Sequence, residues 1–165
     1  MPSAITSIVR AALRRPGDRL NVLLAPPAKP FDDALYHNRH DFYALASSRA
    51  FPRDRVTRLS FVNHFSLPAD LDVDVVVSSH EPAPMKLAST VAGSLHCPLV
   101  CVFQQPPEPT WPERFRDHIR GKGGNFNVFP NWALARAWGW ESEPSVRIVP
   151  PGDAVAWNSV LGATL

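Results

Sequence analysis

The chain has 165 residues, 45% of them hydrophobic, so it is long enough to bury the core of one compact domain. Its 17 lysines and arginines nearly balance 15 aspartates and glutamates, and a formal charge of +2 supplies little field for attracting nucleic acid or an anionic membrane. No apolar stretch approaches the roughly 20 residues that cross a bilayer, which predicts a soluble, cytoplasmic protein without a transmembrane segment.

The first predicted element is an amphipathic helix within residues 1–18. Apolar residues recur at helical spacing from Ile5 to Leu13, and Arg14 and Arg15 follow where cations suit the helix dipole. Three interpretations stay open for this helix: docking onto its own domain, docking onto a partner or membrane surface, and an Arg-rich targeting peptide.

Residues 19–153 carry six apolar runs of strand length, several of them bounded by prolines, which cannot donate ladder hydrogen bonds. A valine-rich run of this kind is typical of a strand buried on both faces of a parallel sheet. The six predicted strands are Leu20–Ala25, Val56–Val62, Leu71–Ser79, Pro98–Phe103, Asn125–Phe129 and Val146–Val149.

Helical segments are predicted between several of these strands. Residues 32–49 are interpreted as a loop that enters a helix over residues 41–48, and further helices are expected over Pro84–Leu95 and Trp132–Trp140. Residues 154–165 are expected to be a C-terminal tail. The alternation predicts an α/β fold: a single Rossmann-like domain with a mostly parallel sheet and helices on both faces.

In such sheets ligands bind beyond the carboxyl ends of the strands. The loops expected at those ends are polar or proline-rich and span Pro26–Asn38, Ser78–Pro84 and Gln104–Trp111. The sequence therefore predicts a binding cleft formed by these three loops.

Five segments, in order, resemble the N-terminal, acceptor-side half of GT-B fold glycosyltransferases of the retaining, family 4-like kind. They are Asn21–Ala25 with His40–Tyr43 (HDFY), Asp72–His80 (DVDVVVSSH), Cys97–Pro107 (CPLVCVFQQPP), Asn127–Gly139 (NVFPNWALARAWG) and Val146–Asp153 (VRIVPPGD). Gln104 or Gln105 stands where many members of the family have a histidine.

The resemblance implies a stand-alone acceptor-side domain without the half that binds the nucleotide sugar. Only about a dozen residues follow Asp153, fewer than the roughly 30 of a βαβ unit. A partner chain or a homo-oligomer is expected to complete the enzyme, with a nucleotide sugar as co-substrate and no stably bound cofactor. The chain is not expected to be active alone.

Candidate residues for the acceptor cleft lie in these loops. His80 and Glu81 follow the valine-rich strand, where they either act on a ligand as acid, base or hydrogen-bonding groups or satisfy the N–H groups of the next helix. His37 and His40 lack the further ligands of a metal site, so no metal is expected. The acceptor-cleft candidates are His37, His40, Ser79, His80, Glu81, Gln104 and Gln105.

The alternative function is a non-catalytic structural or interaction protein that keeps the half-fold for assembly. Trp111 and Trp157 lie in proline-rich or terminal segments and are the interface candidates. A third hypothesis, a small Rossmann enzyme of another type, is disfavoured because no G-x-G-x-x-G follows the first strand.

Overall fold

The computed structural model describes residues 9, 12–13, 15, 17–25, 29–45, 51–59 and 71–164. These described residues form seven strands, one 3₁₀ helix and four α-helices. The strands are β1 (Asn21–Leu24), β2 (Asp41–Leu45), β3 (Val56–Leu59), β4 (Val75–Ser79), β5 (Leu99–Val102), β6 (Phe126–Phe129) and β7 (Val146–Ile148). The helices are the 3₁₀ helix Asp33–Tyr36, α1 (Pro82–Leu95), α2 (Glu113–Arg120), α3 (Trp132–Ala137) and α4 (Ala154–Gly162).

All seven strands are parallel and lie in the order β3-β2-β1-β4-β5-β6-β7. Val22 of β1 pairs with Phe42 on one side and with Val75 on the other, so the order reverses between β1 and β4. Because the strands are parallel, they all end at the same side of the sheet, which we call the carboxyl edge; the opposite side is the amino edge. Ligands of open parallel sheets bind at the carboxyl edge, near such a reversal.

Alternate residues of the strands pack into two separate cores, one on each face. Val75 and Val77 face a core that includes Trp157 of α4, whereas Val76 faces a core that includes Met85 of α1 and Ile119 of α2. This division follows from the two-residue period of a strand, and it buries every residue of β4. The predicted α/β domain with helices on both faces of a parallel sheet is therefore confirmed.

The helix predicted over residues 41–48 is wrong, because Asp41–Leu45 is β2 and lies between β1 and β3. Phe42 and Ala44 point into the same core as Val22, while Tyr43 packs on the opposite face. This alternation, together with the hydrogen bonds of two neighbouring strands, outweighs the local helical preference. Residues 46–48 of the predicted helix lie outside the described residues.

The prediction of a C-terminal tail is also wrong, because Ala154–Gly162 forms α4. The Asp153 carboxylate caps this helix by accepting from the Ala156 N–H at 2.8 Å. Trp157, Val160 and Leu161 are buried, at the i, i+3, i+4 spacing of an amphipathic helix. The segment is thus part of the domain core.

Helix α2 was not predicted, and the helix predicted over Trp132–Trp140 ends at Ala137. Most of the predicted N-terminal helix, like residues 60–70 after β3, lies outside the described residues. Within the described part of the chain, no helix combines the length and apolarity needed to span a membrane.

Candidate functional site

The loops after β1, β5, β6 and β7 border a cavity of about 400 Å³ that opens to solvent at the carboxyl edge and that we call the rim cavity. Its volume lies within the range of roughly 300–1,000 Å³ that is typical of small-molecule sites. The rim cavity is lined by Pro30, Phe31, Asp32, Val102, Phe103, Gln104, Val128, Pro130, Val149, Pro151 and Trp157.

Three hydrogen bonds hold the loops around the rim cavity. The two carboxylate oxygens of Asp32 accept from the N–H of Ala34, at 3.1 Å, and from the N–H of Gly152, at 2.7 Å. The side-chain amide of Gln104 donates to the carbonyl of Pro30 at 2.8 Å. The loop after β1 is therefore fastened to the loops after β5 and β7, which gives the cavity a fixed shape.

Replacing Asp32 with alanine is expected to lower the free energy of unfolding by about 1–2 kcal/mol, because the 3₁₀ helix loses its N-cap and Gly152 loses its acceptor. Urea denaturation followed by circular dichroism measures the change. Asp33→Ala is the matched control, since it removes the same charge from the adjacent exposed residue. Equal losses of stability in both variants would show that the negative charge, and not the two hydrogen bonds that Asp32 accepts, is responsible.

His80 lies directly after β4 at the carboxyl edge and is buried among aromatic rings. Its ring stacks on Phe103 with centroids 5.5 Å apart and meets the edge of Trp138 at 5.4 Å. Its Nδ1 atom is buried and makes no hydrogen bond with the described residues. Burial lowers the pKa of His80, against the opposing effect of a backbone hydrogen bond at Val102. The imidazole is therefore neutral at physiological pH.

The lowered pKa of His80 predicts that the folded domain loses stability in mild acid. Below about pH 6.5 the unfolded chain binds a proton that the folded chain does not, so the free energy of unfolding falls as the pH is lowered from 7 to 5. Denaturation at a series of pH values measures this slope. His80→Phe keeps a ring in the aromatic contacts and removes the titration, so its slope should be smaller; an unchanged slope would contradict the assignment.

Ser79 and Glu81 flank His80. The hydroxyl of Ser79, which is fully buried, donates to the carboxylate of Glu81. Glu81 occupies the N-cap position of α1, but its side chain makes no capping hydrogen bond. The carboxylate is therefore oriented by Ser79 at the carboxyl edge and remains half-buried there.

Neither cysteine has the character of a nucleophile. Cys97 and Cys101 are free thiols, and burial raises the pKa of each to about 12, while a backbone hydrogen bond acts in the opposite direction. Because the thiolate is the reactive form, both side chains are inert at neutral pH.

No protein-family model, curated protein or solved structure matches this chain. A proposal for its function therefore has to be based on the fold and on the groups at the carboxyl edge.

Of the seven predicted cleft residues, only Gln104 lines the rim cavity. His40 directly precedes β2, so it lies at the amino edge, where its Nδ1 accepts from the N–H of Leu20 at 3.2 Å. It is 8% exposed, so its side chain is buried. His37 is exposed at the end of the 3₁₀ helix and does not line the rim cavity. The other candidates, Ser79 to Glu81 with Gln104 and Gln105, follow β4 and β5 at the carboxyl edge.

The two interface candidates lie in the interior or against it. Trp157 is 2% exposed, so it belongs to the core and is not available to a protein partner. Trp111 is half-buried and contacts the rings of Phe115 and Trp138, with centroids 4.9 and 6.1 Å away. The indole of Trp138 donates to the carbonyl of Gln105 at 2.8 Å, which fixes the loop after β5.

Asp32 and Trp157 are cavity residues that sequence reasoning missed. Trp157 could have been found from the i, i+3, i+4 spacing in α4, which predicts that its side chain faces the sheet. No comparable sequence pattern indicated Asp32, because the hydrogen bond between its carboxylate and the N–H of Gly152 joins residues 120 positions apart. Among the described residues, no group of three or more His, Cys, Asp or Glu side chains could hold a metal ion.

Proposed function

We propose that this chain is an acceptor-side domain of the glycosyltransferase type, which acts together with a nucleotide-sugar-binding domain of a partner chain. The observation that carries the proposal is the arrangement at the carboxyl edge. Polar groups after β4 and β5 lie at the carboxyl edge, and Gln104 among them lines the rim cavity, whose walls are mainly apolar. The five segments that resemble the acceptor half of GT-B enzymes also support it.

The charges at this edge support acceptor binding more than donor binding. Among the described residues that line the rim cavity there is no lysine or arginine, while Asp32 lines it and Glu81 lies at the same edge. The diphosphate of a nucleotide sugar needs cationic groups or free N–H donors. In this proposal a second domain supplies them, and this chain positions the acceptor hydroxyl for attack on the anomeric carbon.

Glu81 is the group best placed to contact an acceptor hydroxyl. Its carboxylate is oriented by Ser79 and remains half-buried, so it can accept a hydrogen bond from the acceptor without an obligatory metal. His80 is neutral and packed against aromatic rings, so in this proposal it positions the adjacent Glu81.

The test is nucleotide-sugar turnover by the tagged chain purified from its native cells with any bound partner. We expect the complex to transfer or hydrolyse a nucleotide sugar, Glu81→Gln to lose most of this activity, and Asp33→Ala to retain it. The recombinant chain alone should show no calorimetric binding of nucleotide sugars. A complex without turnover, or tight nucleotide-sugar binding by the isolated chain, would contradict the proposal.

The alternative of a non-catalytic interaction protein is favoured by two exposed apolar side chains. Trp132, which begins α3, and Val155, in the first turn of α4, are 53% and 81% exposed. Both helices begin at the carboxyl edge, since they follow β6 and β7. An assembly protein would show a defined oligomer by light scattering that Trp132→Ser disrupts, and no nucleotide-sugar turnover.

A further inference from the structure

Two helical residues before β1 expose large apolar side chains to solvent. Val9 and Leu13 are 51% and 75% exposed, and both are helical. Residues four positions apart lie on the same face of a helix, so the two side chains form one apolar face. They are two of the four strongly exposed large apolar side chains in the described part of the chain. Docking of this face onto its own domain would bury them, so the face is open to an external partner.

Arginines precede three neighbouring strands at the amino edge. Arg19, Arg39 and Arg55 come just before β1, β2 and β3, and all three are exposed. The three strands are hydrogen-bonded neighbours in register, so their starts lie side by side, about 4.8 Å apart. The amino edge therefore carries a row of cationic residues at this end of the sheet.

Local contacts attach the segment before β1 to this row. The Nε atom of Arg19 donates to the carbonyl of Arg39 at 2.7 Å. The guanidinium of Arg39 also lies over Gly17, where a Cβ atom would come within 2.6 Å of its Nη2 atom. Leu13 is four residues from Gly17, which is at most about 14 Å of extended chain. The apolar face and the arginine row therefore lie at the same side of the molecule.

The exposed charges of this region are mainly positive, although the formal charge of the whole chain is only +2. Asp72 is buried, and Asp74 accepts from the N–H of Asn21 at 2.7 Å. Half-buried Asp41 lies 3.5 Å from Arg19, and ion pairs this exposed are weak enough to exchange for lipid phosphate. Among the described residues of the region, five arginines are exposed against two aspartates, namely Arg15, Arg19, Arg39, Arg53 and Arg55 against Asp18 and Asp54. We call these five arginines, together with Val9 and Leu13, the arginine surface.

We propose that the arginine surface binds peripherally to a membrane that contains anionic phospholipids. Val9 and Leu13 enter the boundary between headgroups and acyl chains, and the arginines contact the lipid phosphates, as is typical of basic amphipathic surfaces. A nucleic acid would leave Val9 and Leu13 exposed, because aliphatic side chains do not stack on bases as aromatic ones do. Since the amino edge is opposite the carboxyl edge, the rim cavity then faces away from the membrane. This binding does not depend on glycosyl transfer.

Co-sedimentation of the full chain with lipid vesicles tests the proposal. We expect the chain to bind vesicles of phosphatidylcholine mixed with phosphatidylserine at least about ten-fold more tightly than vesicles of phosphatidylcholine alone. Added salt should reduce this difference, because it screens exposed charges. No binding to the mixed vesicles, or equal binding to both kinds, would overturn the proposal. Binding to a DNA duplex as tight as binding to the mixed vesicles would also overturn it.

Two pairs of variants localise the interaction. Leu13→Ser should weaken binding to the mixed vesicles about five-fold, whereas Val155→Ser, which changes a side chain 81% exposed at the carboxyl edge, should leave it unchanged. Arg39→Gln should also weaken binding about five-fold, whereas Arg114→Gln, which removes the same charge from an exposed position in the first turn of α2, should not. Equal effects within either pair would overturn the assignment to the arginine surface. Circular dichroism checks that each variant folds, and should one fail, the comparison of the two kinds of vesicle on the unmodified chain still decides the proposal.

Discussion

Replacing Phe103 with alanine is expected to lower the free energy of unfolding by about 4 kcal/mol, a large part of the stability of a domain of this size. Phe103 is fully buried directly after β5. Its ring stacks on Phe129 with centroids 4.7 Å apart, and contacts Trp138 at 5.1 Å and His80 at 5.5 Å. The truncation therefore opens a cavity between aromatic groups from several elements that cannot easily collapse into it.

Guanidinium denaturation followed by tryptophan fluorescence measures this loss. Trp132→Ala removes an aromatic ring that is 53% exposed, and it should cost less than about 1 kcal/mol. The Phe103→Ala variant should also raise the pKa of His80 toward its ordinary value, since water then reaches the imidazole. A loss below that of Trp132→Ala would show that the aromatic cluster is not a stabilising part of the core.

Replacing Gly124 with alanine is expected to cost about 3 kcal/mol, although it adds only one methyl group. A Cβ atom at this position would overlap the carbonyl oxygen of Leu99 and would lie 2.9 Å from its carbonyl carbon and 3.1 Å from the oxygen of Phe126. These are backbone atoms at the start of β5 and β6, so relief of the overlap requires the two strands to separate.

Gly93→Ala is the matched control, because nothing lies within 4 Å of a Cβ atom at that position. Gly93 lies within α1, where alanine is the better helix former, so this variant should gain about 0.5–1 kcal/mol. If the overlap at Gly124 destabilises the protein, thermal denaturation should show a lower Tm for Gly124→Ala and a higher Tm for Gly93→Ala. Similar shifts of the same sign would contradict this explanation.

The strands with a strong local signal were predictable from sequence. β4 is a run of valines and small residues that is buried on both faces, and only a central parallel strand commonly has this composition. β2 was missed because its five residues alternate weakly and contain no β-branched side chain. The pairing of β2 with β1 and β3 is a tertiary effect that no local pattern records.

The missed strand also explains the outcome at the candidate site. When residues 41–45 are taken as a helix, His40 falls in a loop near the carboxyl edge; once they form a strand, the residue before it lies at the amino edge. Ser79 to Glu81, with Gln104 and Gln105, lie at the carboxyl edge, as expected from the predicted strands that became β4 and β5. One wall of the cavity includes Trp157 of α4, a helix where the sequence predicts a C-terminal tail. Trp157 was therefore expected at the surface, whereas it is buried.

The hydrogen bond from Gly152 to Asp32 has a consequence for how the domain folds. It connects the loop after the first strand with the loop after the last across 120 residues, so closing it carries a large loop entropy and requires the sheet to be assembled first. Gly152 is otherwise exposed to solvent. We therefore expect the exchange of its amide proton to report when this long-range contact between the two ends of the domain forms.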